Sequence, residues 1–405
     1  MKLSEELVWR GFHAETTIKD LSILDAKPRN FYWGTDPSAD SLHIGHLAAL
    51  MMCACFVKHG YTPFFLVGGA TGQIGDPKDN GERELKPLIE IEHNKAALAR
   101  QIIRVTHSAP DTQILDNFDW FKDIKFLPFL REIGKSFSMT QLLDRQFVQA
   151  RIGSGGSGIS YAEFSYTLIQ GYDFLHLYRE HGVDLQLCGA DQFGNCTSGI
   201  HLIRRLENAD ADAFSCPLII DPVSGRKFGK SEGNAVWLDP NKTSVFDFYQ
   251  FWVNQPDQVL DAFFRYFTTI EPEELSQILE LHHQAPEKRQ AQKRLAKEVT
   301  AIVHGDGSAN LAAKLTDILF GEQNIDTLTE LEIADLSMML PVASLGDNIV
   351  DILVNTGLAS SKTEARNLVK SGAVSVNRHK VVDDAITVDS LSVIKKGKNK
   401  FAVVK

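Results

Sequence analysis

The chain has 405 residues, of which 43% are hydrophobic, and a formal net charge of −10 at pH 7. This length predicts two or three domains, and the apolar fraction is large enough for the core of a soluble globular protein. The negative charge argues against indiscriminate binding of nucleic acids.

The beginning of the chain predicts neither a secretory signal nor a membrane span. Residues 1–6 include two glutamates, where a signal peptide would have a basic segment and an apolar core. The apolar run from Leu47 to Val57 is too short to cross a bilayer. Five cysteines, an odd number without CxxC spacing, are typical of reduced, buried thiols. We therefore expect a cytoplasmic protein with no membrane partner.

Strand-like and helical runs alternate through the first half of the chain. The predicted strands are Asn30 to Gly34, Pro63 to Val67, Thr112 to Leu115 and Asp184 to Cys188, and the predicted helices include Leu47 to Val57, Phe164 to Tyr178 and Gln192 to Leu206. This alternation predicts the α/β class, with a parallel sheet flanked by helices. Ligands of such open sheets lie beyond the carboxyl ends of the strands. Asp36, Asp76 and Asp191 each follow a predicted strand, so we expect them to line one crevice.

The string His43-Ile44-Gly45-His46 lies between the first predicted strand and an apolar helical run. Both histidines are therefore expected at a helix start, where backbone N–H groups and the positive end of the dipole favour phosphate. Gly45 would let a bulky ligand approach the backbone. The alternatives are an ordinary first helical turn or half of a metal site, and no second ligand cluster supports a metal.

The string Lys227-Phe228-Gly229-Lys230-Ser231 lies in a loop with glycines on both sides. Such a loop predicts a positively charged flap that could follow a migrating phosphate. Alone, a short basic loop is more often a solvated surface turn. Paired with the upstream histidine string, it predicts a single nucleotide-phosphate site.

The second half of the chain changes character. From about Ser244 to Gly321 the pattern is helical, for example in Pro272 to Leu281, where the proline suits a first helical turn. The stretch from Leu336 to Gly346 contains a proline and a glycine and is interpreted as a connector. The predicted divisions are an α/β domain at 1–235, an α-helical domain at 236–335, a linker at 336–346 and a small α+β module at 347–405.

The final module is basic on an otherwise acidic chain. Residues 346–405 hold ten Lys or Arg against six Asp or Glu, which gives a net charge of +4. Because the whole chain has a net charge of −10, the residues before 346 have a net charge of −14. Ser360 to Arg366 is typical of a capped helix start, and Ala373 to Asn377 and Val381-Val382 of strands. The lysines at 395, 396, 398 and 400 could contact phosphates or protect a sheet edge.

Taken together, the two strings resemble the HIGH and KMSKS motifs of the class I aminoacyl-tRNA synthetases. Further segments in the same order are similar to the bacterial tyrosyl-tRNA synthetases, and the last module resembles the ribosomal small-subunit type of RNA-binding module. The segments that carry this resemblance are Gly34 to Leu42, Val67 to Gly72, Gly75 to Pro77, Phe164 to Tyr166, Gln170 to Phe174, Gly189 to Asn195, Val236 to Pro240 and Phe248 to Trp252.

The resemblance implies a Rossmann-like catalytic domain with an inserted dimer-interface region, a helical domain on the tRNA anticodon side, and a homodimer. It also implies the substrates L-tyrosine, ATP with bound Mg²⁺, and tRNA(Tyr). Tyrosine would be activated to tyrosyl-adenylate with release of pyrophosphate, then transferred to the terminal adenosine of the tRNA. No metal ion would be held by a dedicated protein site.

The same resemblance assigns residues to the reaction. Tyr32 and Asp173 would face the phenol hydroxyl, Asp76, Tyr166 and Gln170 the ammonium, and Gln192 the carboxylate end of tyrosine. Catalysis would fall to His43, His46, Lys227, Lys230 and Ser231. ATP would be bound by Gly34, Asp36, Ser38, Gly45, Gly189 and Asp191.

Two rival interpretations stay open at this level. A non-catalytic RNA-binding relative could keep the scaffold, and a tryptophan-specific relative would share the fold with less use for the Tyr32 and Asp173 pair. Tyr166 and Gln170, four residues apart on a predicted helix, could also simply pack there, and Asp173 could be a surface residue.

Overall fold

The computed structural model of the protein describes the chain in two compact units. One comprises Met1–Val236 with Asp261–Ile270, and the other Trp237–Leu260 with Glu271–Lys405. The described residues are 1–76, 86–109, 112–143, 146–152, 157–222, 225–228, 235–321, 323–397 and 400–405.

The first unit contains a five-stranded parallel sheet. Its strands are β1 (Asn30–Thr35), β2 (Thr62–Val67), β3 (Ile114–Leu115), β4 (Leu185–Gly189) and β5 (Asp212–Cys216). They are ordered β3-β2-β1-β4-β5, and every pairing is parallel. Most side chains of β1, β2, β4 and β5 are buried, as expected for strands covered by helices on both faces. The predicted Rossmann-like sheet is confirmed, with β5 as an additional strand.

Helices connect these strands. They are α1 (Leu3–Arg10), α2 (Ile44–Lys58), α3 (Leu88–Thr106), α4 (Phe118–Phe121), α5 (Phe126–Glu132), α6 (Met139–Leu143), α7 (Gln146–Ile152), α8 (Tyr161–His181) and α9 (Phe193–Glu207). Helix α2 is apolar on all sides and is buried along most of its length. The helices predicted at Leu47, Phe164 and Gln192 are therefore confirmed.

The strand order places a topological switch at β1. The chain passes from β1 to β2 and β3 on one side of the sheet, and then returns to place β4 and β5 on the other. The connections that leave β1 and β4 therefore diverge at the carboxyl end of the sheet, which opens a crevice in folds of this kind. The segments that follow β1, β2 and β4 carry the aspartates predicted to line it.

An ion cluster ties α1 to the end of α2. The carboxylate of Glu6 accepts from Arg10 Nε at 2.9 Å and from Lys58 Nζ at 3.1 Å, and lies 2.8 Å from His59 Nε2. Arg10 also donates to the carbonyl oxygen of Thr268 at 2.7 Å. We call Glu6, Arg10, Lys58 and His59 the N-terminal ion cluster.

The second unit begins with helices, as the sequence predicts. They are α10 (Val245–Val253), α11 (Leu260–Phe267, which belongs to the first unit from Asp261), α12 (Pro272–Gln284), α13 (Gln290–His304), α14 (Asp306–Phe320) and α15 (Glu330–Met339). Pro272 occupies the first turn of α12, where its missing N–H costs no hydrogen bond.

The chain ends in a small α+β module. It contains α16 (Ile349–Asn355), α17 (Lys362–Lys370), and a sheet of β6 (Val342–Ala343), β7 (Val374–Val376), β8 (His379–Val381), β9 (Ser392–Lys396) and β10 (Lys400–Val404), in the order β6-β10-β9-β7-β8. Ser361 caps α17 by accepting from the backbone N–H of Glu364. The segment 336–346, predicted to be a linker, instead includes the end of α15 and strand β6, which pairs with β10.

All five cysteines are buried and unpaired, as predicted: Cys53, Cys55, Cys188, Cys196 and Cys216. Within the described ranges, no helix combines the length and apolar character that a bilayer crossing requires.

Candidate active site

The two histidines of the first motif form the start of α2. His43 is the residue that caps the helix, and its Nδ1 accepts from the backbone N–H of Gly45 at 3.1 Å. His46 Nδ1 accepts from the backbone N–H of His43 at 3.3 Å. These reciprocal bonds form a capping box built from two imidazoles. The prediction that both histidines lie at a helix start is confirmed.

The hydrogen bonds also determine the state of the rings. Because each Nδ1 accepts a hydrogen bond, the proton of a neutral ring lies on Nε2. Burial, with repulsion from His46, lowers the pKa of His43 to about 2, and burial lowers that of His46 to about 4. Both rings are therefore neutral at pH 7 and each can donate from Nε2.

The second motif lies directly against the first. A Cβ built on Gly45 would be 2.6 Å from the carbonyl oxygen of Phe228, so a side chain at position 45 would collide with this backbone. The backbone N–H of Ile44 donates to the carbonyl oxygen of Val236 at 3.0 Å. The structure thus brings together the two strings, which lie almost two hundred residues apart in sequence. Lys230 and Ser231 lie outside the described residues.

Lys227 reaches the carboxyl end of β4, with its Nζ 4.0 Å from Asp191 Oδ2. A Cβ on Gly189 would be 2.9 Å from Asp191 Oδ1, so a glycine lets this carboxylate fold back over the strand end. Gly34, in contrast, has room for a side chain against Leu66, so packing within the chain does not explain that glycine.

The floor of the crevice carries Tyr32 from β1 and Asp173 from α8, each about 1% exposed. Within the described chain, no hydrogen-bond partner reaches the Tyr32 hydroxyl, although it is fully buried. Burial, then the nearby Cys196 and Asp173, raises the pKa of Tyr32. The ring of Tyr32 also packs on Phe174, the residue after Asp173, with ring centroids 5.2 Å apart. Asp173 is therefore a buried neighbour of Tyr32 and not a surface residue. A buried hydroxyl without a partner is unusual and indicates a place for a ligand.

Asp173 is held by two residues that sequence reasoning missed. Asn117 Nδ2 donates to Asp173 Oδ2 at 3.1 Å, and Trp120 Nε1 donates to Asp173 Oδ1 at 3.0 Å. Burial nevertheless raises the pKa of Asp173 well above its usual range. Asn117 also accepts from the backbone N–H of Ala70 at 2.7 Å, which joins Asp173 to the loop after β2.

The polar residues predicted around the ammonium group also lie at this end of the sheet. Tyr166 Oη donates to Asp36 Oδ2 at 3.1 Å, and Gln192 Nε2 donates to Asp76 Oδ2 at 2.9 Å. The Oε1 atom of Gln170 is buried without a hydrogen-bond partner in the described chain. The loops after β1, β2 and β4 therefore meet, as predicted for the three aspartates.

Ser38 lies in the loop after β1, and its backbone N–H donates to the carbonyl oxygen of Asp36 at 2.8 Å. Across the ranges that the structure describes, no group of three His, Cys, Asp or Glu side chains could hold a metal ion.

The lysines of the last module have different environments. Lys396 Nζ donates to the carbonyl oxygen of Leu358 and to Glu364 Oε1, and Lys395 lies over the ring of Phe401. Lys400 is exposed, and Lys398 lies outside the described residues. Helix α17 instead presents three exposed cations at four-residue spacing, which places them on one face: Lys362, Arg366 and Lys370.

Two family models match consecutive parts of the chain. The model described as "tRNA synthetases class I (W and Y)" matches residues 25–321, and the model described as "Tyrosine--tRNA ligase SYY-like C-terminal domain" matches residues 332–405.

Full-length relatives show the same similarity. A tyrosine–tRNA ligase of Limosilactobacillus fermentum is 41% identical over 100% of this chain and 99% of its own length. That of Lactobacillus delbrueckii subsp. bulgaricus is 42% identical over 99% of this chain and 97% of its own length.

Among solved structures, a C-terminally truncated mitochondrial tyrosyl-tRNA synthetase of Coccidioides posadasii superposes with a TM-score of 0.68 and 29% identity. The match covers 78% of this chain and 91% of that chain. The motif contact, the parallel sheet and these similarities agree, and the chain therefore belongs to the class I tRNA synthetases of the tryptophan and tyrosine group.

Proposed function

We propose that the protein is a tyrosine–tRNA ligase that forms tyrosyl-adenylate from L-tyrosine and ATP and then transfers tyrosine to the terminal adenosine of tRNA(Tyr). The observation that carries the choice of tyrosine is the unpaired hydroxyl of Tyr32, buried beside Asp173. A phenol hydroxyl that binds between Tyr32 and Asp173 can donate a hydrogen bond to one of these side chains and accept one from the other. A substrate without a hydroxyl leaves the buried Tyr32 hydroxyl without a partner.

The tyrosine zwitterion fits the polar wall above that floor. We assign its ammonium to Asp76, Tyr166 and Gln170, and its carboxylate end to Gln192. Gln170 Oε1 supports this role because it is a buried acceptor without a partner in the described chain. The Tyr166 hydroxyl donates to Asp36, which we assign to ATP.

Adenylate formation requires a carboxylate oxygen of tyrosine to attack the α-phosphate of ATP while the bond to pyrophosphate breaks. No side chain has to form a covalent bond or remove a substrate proton, so catalysis consists of positioning and charge stabilisation. His43 and His46 would donate from Nε2 to ATP without adding positive charge, because both rings are neutral.

The remaining contacts with ATP are assigned by position. Lys227, Lys230 and Ser231 would follow the departing pyrophosphate, with Ser38 and the backbone at Gly45 on the phosphates. Gly34, Gly189 and Asp191 would take the adenosine side. Class I synthetases use ATP as a substrate, and we expect Mg²⁺ to enter bound to its phosphates, where it would neutralise part of their charge.

Exchange of labelled pyrophosphate into ATP tests the activation step. We expect exchange that depends on tyrosine and is absent with tryptophan or phenylalanine. No exchange by the folded protein would support the non-catalytic RNA-binding alternative, and exchange with tryptophan would overturn the assignment of Tyr32 and Asp173.

The basic face of α17 supports a tRNA contact by the last module. Replacing Lys362, Arg366 and Lys370 together by glutamine should raise the KM for tRNA(Tyr) and reduce the salt dependence of charging, because phosphate contacts release counterions. Pyrophosphate exchange should stay unchanged. A matched triple replacement of the exposed carboxylates Asp119, Glu273 and Glu330 controls for loss of surface charge.

We further propose a homodimer in the cytoplasm. Three large apolar side chains of the segment between β3 and β4 are strongly exposed: Phe126, Leu127 and Tyr161. Contiguous exposed apolar surface is typical of a face that a second protein covers, and Phe126 and Leu127 are adjacent in the chain. Light scattering should give twice the chain mass of 45.1 kDa, and a monomer would contradict this proposal.

A further inference from the structure

Three side chains form a chain of hydrogen bonds that ends on Asp76. Thr167 Oγ1 donates to Asn195 Oδ1 at 3.2 Å, and Asn195 Nδ2 donates to Gln192 Oε1 at 3.0 Å. Gln192 Nε2 then donates to Asp76 Oδ2 at 2.9 Å. We call Thr167, Asn195 and Gln192 the amide relay.

Every bond of the amide relay has a defined direction. A carboxylate accepts hydrogen bonds and an amide nitrogen donates them, so the last bond requires Gln192 to turn Nε2 toward Asp76. Asn195 Nδ2 meets the opposite side of the same amide and requires an oxygen there. Thr167 Oγ1 donates to Asn195 Oδ1, and this arrangement leaves the Asn195 nitrogen directed at Gln192.

The opposite orientation of Gln192 would put an acceptor against acceptors. Its Oε1 would face Asp76 and any carboxylate that enters beside it, while its nitrogen would face the nitrogen of Asn195. In the observed orientation the second N–H of Nε2 has no partner among the described residues, so it can donate to an incoming carboxylate.

The packing of α8 on α9 makes the relay possible. A Cβ on Gly199 of α9 would lie 2.6 Å from Phe174 Cβ of α8, and a Cβ on Gly171 would lie 3.4 Å from Ser198 Cβ. The two helices therefore approach closely, which brings Thr167 of α8 within reach of Asn195 of α9. Both of these side chains are buried, so bulk water does not compete for the bond between Thr167 and Asn195.

We infer that Asn195 is a positioning residue that sets the orientation of the Gln192 amide, so that an N–H and not an oxygen meets the substrate carboxylate. Asn195 acts through Gln192 and has no assigned contact with the substrate. This inference rests on the proposed function, because that proposal places the tyrosine carboxylate at Gln192.

The test compares tyrosine with tyramine, which has the phenol and the ammonium but no carboxylate. In Asn195→Leu, a neutral replacement of similar size, the Kd for tyrosine should rise roughly tenfold, the cost of losing about one hydrogen bond to a charged group. The Kd for tyramine should change by less than about threefold, since its ammonium partners are intact. Isothermal titration calorimetry on the full-length protein measures both.

Two variants at Thr167 keep the test independent of the folding of Asn195→Leu. Thr167→Val removes only the hydroxyl and should weaken tyrosine binding in the same selective way by roughly threefold, as expected for a neutral hydrogen bond. Thr167→Ser keeps the hydroxyl and should bind both ligands like the parent protein.

The outcomes separate the inference from the proposed function. An equal loss of tyrosine and tyramine affinity in Asn195→Leu, or equal behaviour of Thr167→Val and Thr167→Ser, would overturn the positioning role. If the parent protein itself bound tyramine as well as tyrosine, the carboxylate site at Gln192 would be wrong, and the inference would fall with it.

Discussion

Two carboxyl groups in the first unit are buried to the same extent, yet their acidities shift in opposite directions. Glu6 in the N-terminal ion cluster and Asp173 on the crevice floor are each about 1% exposed. Burial alone raises the pKa of Glu6, but bonds with His59, Arg10 and Lys58 outweigh it and lower the value to about 2. Burial raises the pKa of Asp173, and its bonds with the neutral groups of Asn117 and Trp120 do not compensate.

The difference lies in the charge of the partners. Arg10 and Lys58 carry full positive charge, so the N-terminal ion cluster is electrically complete within the chain. Asp173 has only neutral donors among its hydrogen-bond partners in the described chain, and its neighbour Tyr32 keeps an unpaired hydroxyl. One region stabilises the fold by itself, whereas the other retains unsatisfied bonding capacity for a ligand, as binding sites commonly do.

The largest effect on stability should come from Glu6→Gln. At pH 7 it should lower the free energy of unfolding by about 3 kcal/mol, the value of a pKa shift from 4.5 to about 2. The native pKa is the lower one, so this stabilisation is complete above pH 4.5 and is lost as the pH falls through about 2. Urea unfolding of variant and parent across this range measures the difference.

Tyrosine-dependent pyrophosphate exchange at 25 °C is the control for Glu6→Gln, because Glu6 contacts no residue assigned to the substrates. Equal stability of variant and parent at pH 7 would contradict the conclusion that positive charges in the N-terminal ion cluster compensate the buried carboxylate of Glu6.

Asp173→Asn should impair pyrophosphate exchange, and its effect on stability should depend on pH in the opposite sense to that of Glu6→Gln. The kcat/KM for tyrosine in pyrophosphate exchange should fall by roughly tenfold to a hundredfold, because the phenol loses a strong hydrogen-bond partner. The native pKa of Asp173 is raised, so the folded parent loses stability as the pH rises above the unfolded carboxyl value of about 4. The stability of the variant relative to the parent should therefore improve between pH 4 and pH 8.

Asp119→Asn is the matched control, because this exposed carboxylate lies on the same segment as Asn117 and Trp120. It should change neither the exchange kinetics nor the pH profile. The same sign of pH dependence for Glu6→Gln and Asp173→Asn would remove the distinction between the two regions.

The smallest effect is expected for Lys58→Met. Lys58 is about half exposed, and its ion pair with Glu6 should contribute less than about 1 kcal/mol to stability. Sodium chloride at 1 M should reduce this contribution further, because salt screens exposed charges. Loss of several kcal/mol in thermal and urea unfolding would show that Lys58, and not Arg10, supplies the main compensating charge.

Elements with strong local signals could be predicted from the sequence. The apolar runs at Asn30, Pro63 and Asp184 became β1, β2 and β4, and the glycine-bearing histidine string became the start of α2. Strand β5, Asp212–Cys216, was not predicted because Phe214 is its only large apolar residue, so it lacks the apolar run that marks β1, β2 and β4. Strand β6 has two residues and forms only through its pairing with β10.

The site residues also divide into those that the sequence could predict and those that it could not. Residues within named motifs, such as His43 and Asp173, could be assigned by resemblance. Asn117 and Trp120 could not, because their contacts with Asp173 span 56 and 53 positions and leave no periodic signal in the sequence. Asn195 was part of a recognised segment, but its bonds to Thr167 and Gln192 depend on how closely α8 approaches α9.

The burial of all five cysteines has a practical consequence for following this molecule in solution. Burial raises the pKa of Cys53, and it raises the pKa of Cys55 and Cys216 to about 12, so these sulfurs stay protonated and unreactive near neutral pH. A maleimide dye would then modify a chain only after it opens. One cysteine introduced at an exposed position would give a uniquely labelled protein without removal of the native five.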